Sequence, residues 1–114
     1  MTRVTKTRQS TPIVAAPKLS REDVLSARPS VPKHVVYREF VQETVILNLE
    51  TGTYHGLNPS GGKMLETLGA AETVQEAAVA LSAHYRRPLS EMEEDLVNFC
   101  IDLHERGLVD LKHE

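Results

Sequence analysis

The chain has 114 residues, 40% of them hydrophobic, only 4% aromatic, with no Trp and a net charge of −3. That is enough for one small domain with a core of Leu, Val, Ile, Ala and Met, and too little for a large multi-substrate catalytic apparatus. No apolar run approaches the ~18 residues of a membrane span, MTRVTKTRQSTP carries no apolar stretch of the secretory kind, and a lone cysteine, Cys100, excludes an intramolecular disulfide and suits a reducing cytoplasm.

Charge divides the chain. Residues 1–33 hold seven basic residues (Arg3, Lys6, Arg8, Lys18, Arg21, Arg28, Lys33) against Glu22 and Asp23, whereas residues 34–114 hold six against fourteen acids. The first segment also carries Pro12, Pro17, Pro29 and Pro32 and no aromatic residue. It has too little apolar surface to order itself, so residues 1–33 are expected to form a flexible basic arm. A short helical turn fits Ser20–Leu25, with Ser20 as cap and Asp23 three residues on. The folded domain is expected over 34–114. Its surplus of acid argues against nucleic acid, because a domain that binds nucleic acid presents a basic face.

Three strands come first. Residues 34–40 are β-branched and aromatic. Residues 44–50 alternate, with Val45, Leu47 and Leu49 on one face and Ile46, Asn48 and Glu50 on the other. Thr51-Gly52 is a hairpin turn, and Thr53–Leu57 is a short third strand. Three helices follow. Asn58 caps the first and Pro59 fits its first position, with Met64, Leu65 and Leu68 as its stripe and Gly69 as its end. Thr73 with Glu76, and Ser90 with Glu93, read as capping boxes for the second and third. The third runs to Arg106, with Gly107 as the stop and 108–111 returning as an extended tail. The order is α+β: a three-stranded antiparallel sheet followed by three helices, a winged-helix-like layout.

Catalytic chemistry is sparse. Gly61-Gly62-Lys63 fails the phosphate-loop pattern, since Gly62 stands where Lys belongs, and reads as close backbone packing. His34, His55, His84, His104 and His113 show no metal spacing, and Cys100 with His104 is half a zinc site at most. Cys100 reads as a small buried hydrophobe, and the acids at 91–95 suit a helix N-terminus. No cofactor, metal or catalytic residue is assigned.

Two features reach past folding. The third strand sits at a sheet edge, which either is blunted by its shortness or accepts another strand. The last helix has a core stripe of Met92, Leu96, Phe99, Cys100 and Leu103. It also has a second strip, Val97 and Ile101 flanked by His104, which is either more core or one wall of a groove.

The run from Val45 to Gly61 (VILNLETGTYHGLNPSG), then Thr73-Val-Gln-Glu-Ala, then Asp95 to Val109 (DLVNFCIDLHERGLV), resembles the PqqD-like family. These are precursor-peptide recognition elements of ribosomally made, post-translationally modified peptide pathways. The resemblance covers about residues 34–111. It implies a non-catalytic domain that binds a precursor's leader segment as an added strand. The site it implies is Thr53, Tyr54, His55, Gly56 and Leu57 on the strand, with Val97, Ile101 and His104 on the helix. The stretch Leu57–Gly61 is similar to the broader stand-alone members, those of lasso-peptide clusters included, and points away from a quinone-cofactor pathway.

The expectation is a cytoplasmic peptide chaperone. It would serve a modifying enzyme, such as a radical S-adenosylmethionine enzyme or a leader peptidase, without nucleic acid or membrane partners. The alternative is a winged-helix DNA-binding regulator, opposed by a last helix with no Lys or Arg from Ser90 to Glu105. Homodimerisation through the same open edge is a separate use of that strand.

Overall fold

The structure, a computed structural model, describes residues 19–113; residues 1–18 and 114 lie outside the described residues. Helix α1 (Arg21–Ser26) opens it. Ser20 Oγ accepts from the Asp23 N–H at 3.0 Å, and the Asp23 carboxylate accepts from the Ser20 N–H at 3.4 Å, the reciprocal capping that the sequence predicts. Six residues of helix have no stability alone, so tertiary contacts hold them. Val24 and Ala27 are 0% exposed. Arg21 pairs with Glu93 at 2.7 Å, and the Ala27 carbonyl accepts from the Val74 N–H at 3.0 Å.

This corrects the expected arm at its C-terminal end, because residues 19–33 belong to the folded unit. The segment averages as a basic, proline-rich linker. Among its apolar residues, Val24 and Leu25 of the helix and Ala27 at its C-cap reach the core or its edge. After them, β1 (Arg28–Ser30) pairs antiparallel with β5 (Asp110–Lys112), so the expected extended tail is a strand with a partner.

The main sheet is β2 (Val35–Glu39), β3 (Thr44–Asn48) and β4 (Tyr54–Leu57), antiparallel in that order. Gly52 takes φ 75° in the β3–β4 turn, as expected of a hairpin glycine. Asn48 Oδ1 accepts from the N–H groups of Glu50 and Thr51 at 2.9 and 3.3 Å, which ties the turn to the end of β3. The alternation of β3 holds, but its buried face is Thr44, Ile46 and Asn48. Val45 and Leu47 are half-buried on the outer face, Leu49 is 57% exposed, and Val36 and Tyr54 on β2 and β4 share that side. An antiparallel sheet with one wet face normally turns its apolar residues inward, so this outer face is unusually greasy.

Helix α2 (Pro59–Ala70) and the C-terminal part of α4 (Leu89–Glu105) pack on the inner face, and α3 (Val74–Tyr85) packs on α1, α2 and α4 behind them. The Asn58 cap forms as expected, accepting from Gly61 N–H at 2.8 Å; Thr73 accepts from Glu76 N–H at 3.2 Å, but the expected box stays half-made, because the Glu76 carboxylate accepts from the Glu72 N–H instead, at 3.3 Å. Gly69 does not end α2, which continues to Ala70. The Ser90–Glu93 box does not form either. Helix α4 begins two residues earlier, behind Pro88, and the Glu93 carboxylate is taken by Gln75 and Arg21, each at 2.7 Å.

Two buried clusters result. One joins Val24 of α1 to Leu68, to Val74 and Leu81 of α3, and to Leu96, Val97 and Cys100 of α4. The other joins Val35 and Ile46 of the sheet to Leu65, Leu103, Leu108 and Val109. Each fully buried Val, Leu or Met contributes about 1.5–3 kcal/mol.

Candidate functional site

The hydrogen-bond phase of β4 decides what its edge offers. The Asn48 N–H donates to the Thr53 carbonyl at 2.8 Å, and Ile46 lies opposite His55 and Thr44 opposite Leu57. Bonded and non-bonded pairs alternate along an antiparallel ladder. Thr53, His55 and Leu57 therefore spend their main-chain groups on β3. The N–H and C=O groups of Tyr54 and Gly56 point to the open edge, as a template for one more strand.

Side chains alternate the other way, through the faces. Tyr54 is 73% exposed on the outer face, and Gly56 beside it presents no side chain. His55 and Leu57 are half-buried on the inner, helix-facing side. Leu57 packs on the cluster that holds Ile46, Leu65 and Leu103, as does the half-buried Phe99 of α4. The Arg106 guanidinium, just past the end of α4, lies 3.4 Å from His55 Nδ1 and 3.1 Å from Asp102 Oδ1. A strand laid along β4 would thus have Tyr54 and Gly56 as hydrogen-bond partners, with Leu57 and Phe99 as apolar floor and Arg106 with His55 at one end.

The helix residues named from sequence do not join this arrangement. Val97 is 5% exposed within the cluster that contains Val24, and Ile101 packs on the same cluster. His104 Nδ1 lies 3.0 Å from the Val109 carbonyl. All three sit about 140–180° around the helix from Arg106, the residue that touches β4. The second apolar strip is core after all, and it is α1 that supplies Val24 to that core. Both errors have one origin, since treating α1 as arm leaves the strip without a partner. Of the residues on the β4 side of α4, Asp102 and Arg106 were not singled out from sequence, and Phe99 was read as core. The signal for them was the polar–apolar boundary on the other flank of the Leu96–Leu103 stripe.

Burial pushes the Cys100 thiol up to about 12, which keeps it protonated and unreactive. Among the described residues no group of three or more His, Cys, Asp or Glu is arranged to hold a metal ion, and no helix is long and apolar enough to cross a membrane.

Comparison with known proteins bears on the same elements. Among curated proteins none matches the chain. A structure described as TbiB1 in complex with the TbiA(beta) leader peptide superposes with a TM-score of 0.67 at 28% identity, covering 74% of this chain and 98% of that one. A lasso peptide synthetase B1 complexed with the leader peptide gives 0.67 at 19% identity, covering 74% and 99%. The PqqD truncation of Methylobacterium extorquens PqqCD, described as a functional, stand-alone recognition element for ribosomally synthesized and post-translationally modified peptides, gives 0.60 at 18%, covering 78% and 98%. The last two likenesses, by their low identity, show the fold alone. The family model of coenzyme PQQ synthesis protein D (PqqD) matches residues 43–109, from the end of the first hairpin through β4 and all three long helices, and the chain belongs to that family.

Proposed function

We propose that this chain binds the leader segment of a ribosomally made precursor peptide as a fourth strand on β4 and presents the attached peptide to a modifying enzyme. The observation that carries this reading is the phase of β4, which leaves the main-chain groups of Tyr54 and Gly56 open beside an apolar floor of Leu57 and Phe99. Strand addition of this kind takes affinity from main-chain hydrogen bonds and specificity from alternate side chains. Two structures of the same fold were solved with leader peptides, one of them at 28% identity, which supports the same ligand class here. The protein works in the cytoplasm and does no chemistry itself. Tethering raises the local concentration of the core peptide at the enzyme, so the enzyme need not bind that peptide tightly.

The enzyme, a leader peptidase or a radical S-adenosylmethionine enzyme, docks on the outer face of the sheet. Val36, Leu47 and Tyr54 form an apolar surface there, continuous with the edge that holds the leader. The test is a calorimetric titration with a synthetic leader of the short precursor encoded beside this chain. Saturable 1:1 binding at micromolar affinity or tighter is expected for wild type, with at least a tenfold loss in Tyr54→Pro. No heat at protein concentrations well above micromolar, or equal affinity in a folded Tyr54→Pro variant, overturns the reading.

A further inference from the structure

The outer side of the β4 edge carries a second recognition element. Gly56 lies opposite Val45, and Glu43 sits one step diagonally away, on the same face of the sheet, at the end of the hairpin. The Glu43 side chain leans across that diagonal into the space a side chain at Gly56 would fill. A Cβ built on Gly56 would lie 2.6 Å from Glu43 Oε2. Diagonal neighbours stand about 7–8 Å apart, within reach of a long side chain. The carboxylate therefore hangs over a gap in the edge strand.

No hydrogen bond or ion pair engages this carboxylate among the described residues. Lys63, which lines the same open cleft of about 230 Å3, gives its ammonium to Glu66 at 3.4 Å. Glu39 and Glu66 line that cleft as well, and Phe40 and Val41 supply apolar surface. Three carboxylates against one lysine leave the cleft negative.

A strand added antiparallel to β4 places one residue directly opposite Gly56, in a bonded pair with a Cα separation of about 5.5 Å. That residue's side chain emerges on the outer face, because opposite residues share a face. Its nearest neighbour across the missing Gly56 side chain is the Glu43 carboxylate. Resting on the leader-binding reading above, we propose that Glu43 is a specificity-determining residue that selects a Lys or Arg at the ligand position opposite Gly56. The side chain runs toward Gly56, where no Cβ blocks it, and its cation meets the Glu43 carboxylate that leans over that glycine. An acidic ligand residue at that position is rejected by the same groups.

The experiment is a double-mutant cycle on the full chain, with the same synthetic leader and an alanine scan of its basic residues. For wild type, one Lys or Arg is expected to cost about fivefold in affinity when replaced by Ala, and charge reversal of that residue to Glu to cost more. In Glu43→Gln the same Ala replacement is expected to cost less than twofold. Glu43→Lys is expected to recover affinity for the charge-reversed leader, a gain that misfolding does not produce. A wild type that fails to bind any leader refutes the leader-binding reading itself. Leader binding that is lost in Tyr54→Pro yet shows no basic residue coupled to Glu43 overturns this inference alone.

Discussion

Gly62 marks the closest approach of a helix to the sheet. A Cβ there would overlap the Thr44 hydroxyl, and Thr44 is itself only 4% exposed beneath the start of α2. Neither partner has room to retreat, so Gly62→Ala is expected to lower stability by about 1–3 kcal/mol, read as a shifted midpoint in denaturant unfolding. An unshifted midpoint would mean that α2 slides freely over β3. Cys100 offers a second check at this scale. It is fully buried, and its thiol is pushed up to about 12. A thiol reagent at pH 8 is expected to label it only at the rate of unfolding, and to label it at once in denaturant. Rapid labelling of the native protein would place Cys100 outside the core.

At the scale of elements, β4 and α1 each make a prediction that composition alone does not. Tyr54 turns its N–H to the open edge, whereas His55 turns its own to β3. Tyr54→Pro is expected to keep the fold and lose the ligand, and His55→Pro to break the ladder and unfold the sheet, which circular dichroism separates. Helix α1 predicts that Val24→Ala costs about 2 kcal/mol, since Val24 is 0% exposed in the main helical cluster. A Val24 in a solvated arm would cost nothing.

The three strands of the main sheet, the Gly52 turn, the Asn58 and Thr73 caps and the stop at Gly107 were legible because each is set within a few residues of chain. The docking of α1 was not, since only Val24 and Ala27 of that stretch are fully buried, and both depend on α3 and α4, 47 or more residues on. The β4 half of the candidate site followed from strand pattern. On α4 the expected residues Val97 and Ile101 pack in the helical core away from β4, because helical spacing gives two flanks of a stripe but not which flank meets the sheet.

Over the whole molecule, acid should loosen one side before the other. The Glu93 carboxylate is held below the usual carboxylate range, first by the Gln75 amide and then by Arg21 of α1. A depressed folded-state pKa means that its stabilisation is complete above the unfolded value of about 4.3 and is lost as pH falls through the folded one. Amide exchange in α1 is expected to rise below about pH 4 ahead of exchange in β3, and Glu93→Gln to flatten that pH dependence. Simultaneous loss of both regions would show that α1 is held by apolar burial alone.

The pairing of β1 with β5 fixes where the two ends of the described unit lie. Arg28 stands opposite Lys112, and His113 Nε2 lies 2.7 Å from the Asp23 carbonyl, so chain entry and exit share one flank. The free edge of β4 takes no part in that flank. Polypeptide attached at either end of the described unit would leave it at one flank, away from the β4 edge, the arrangement that domain insertion tolerates.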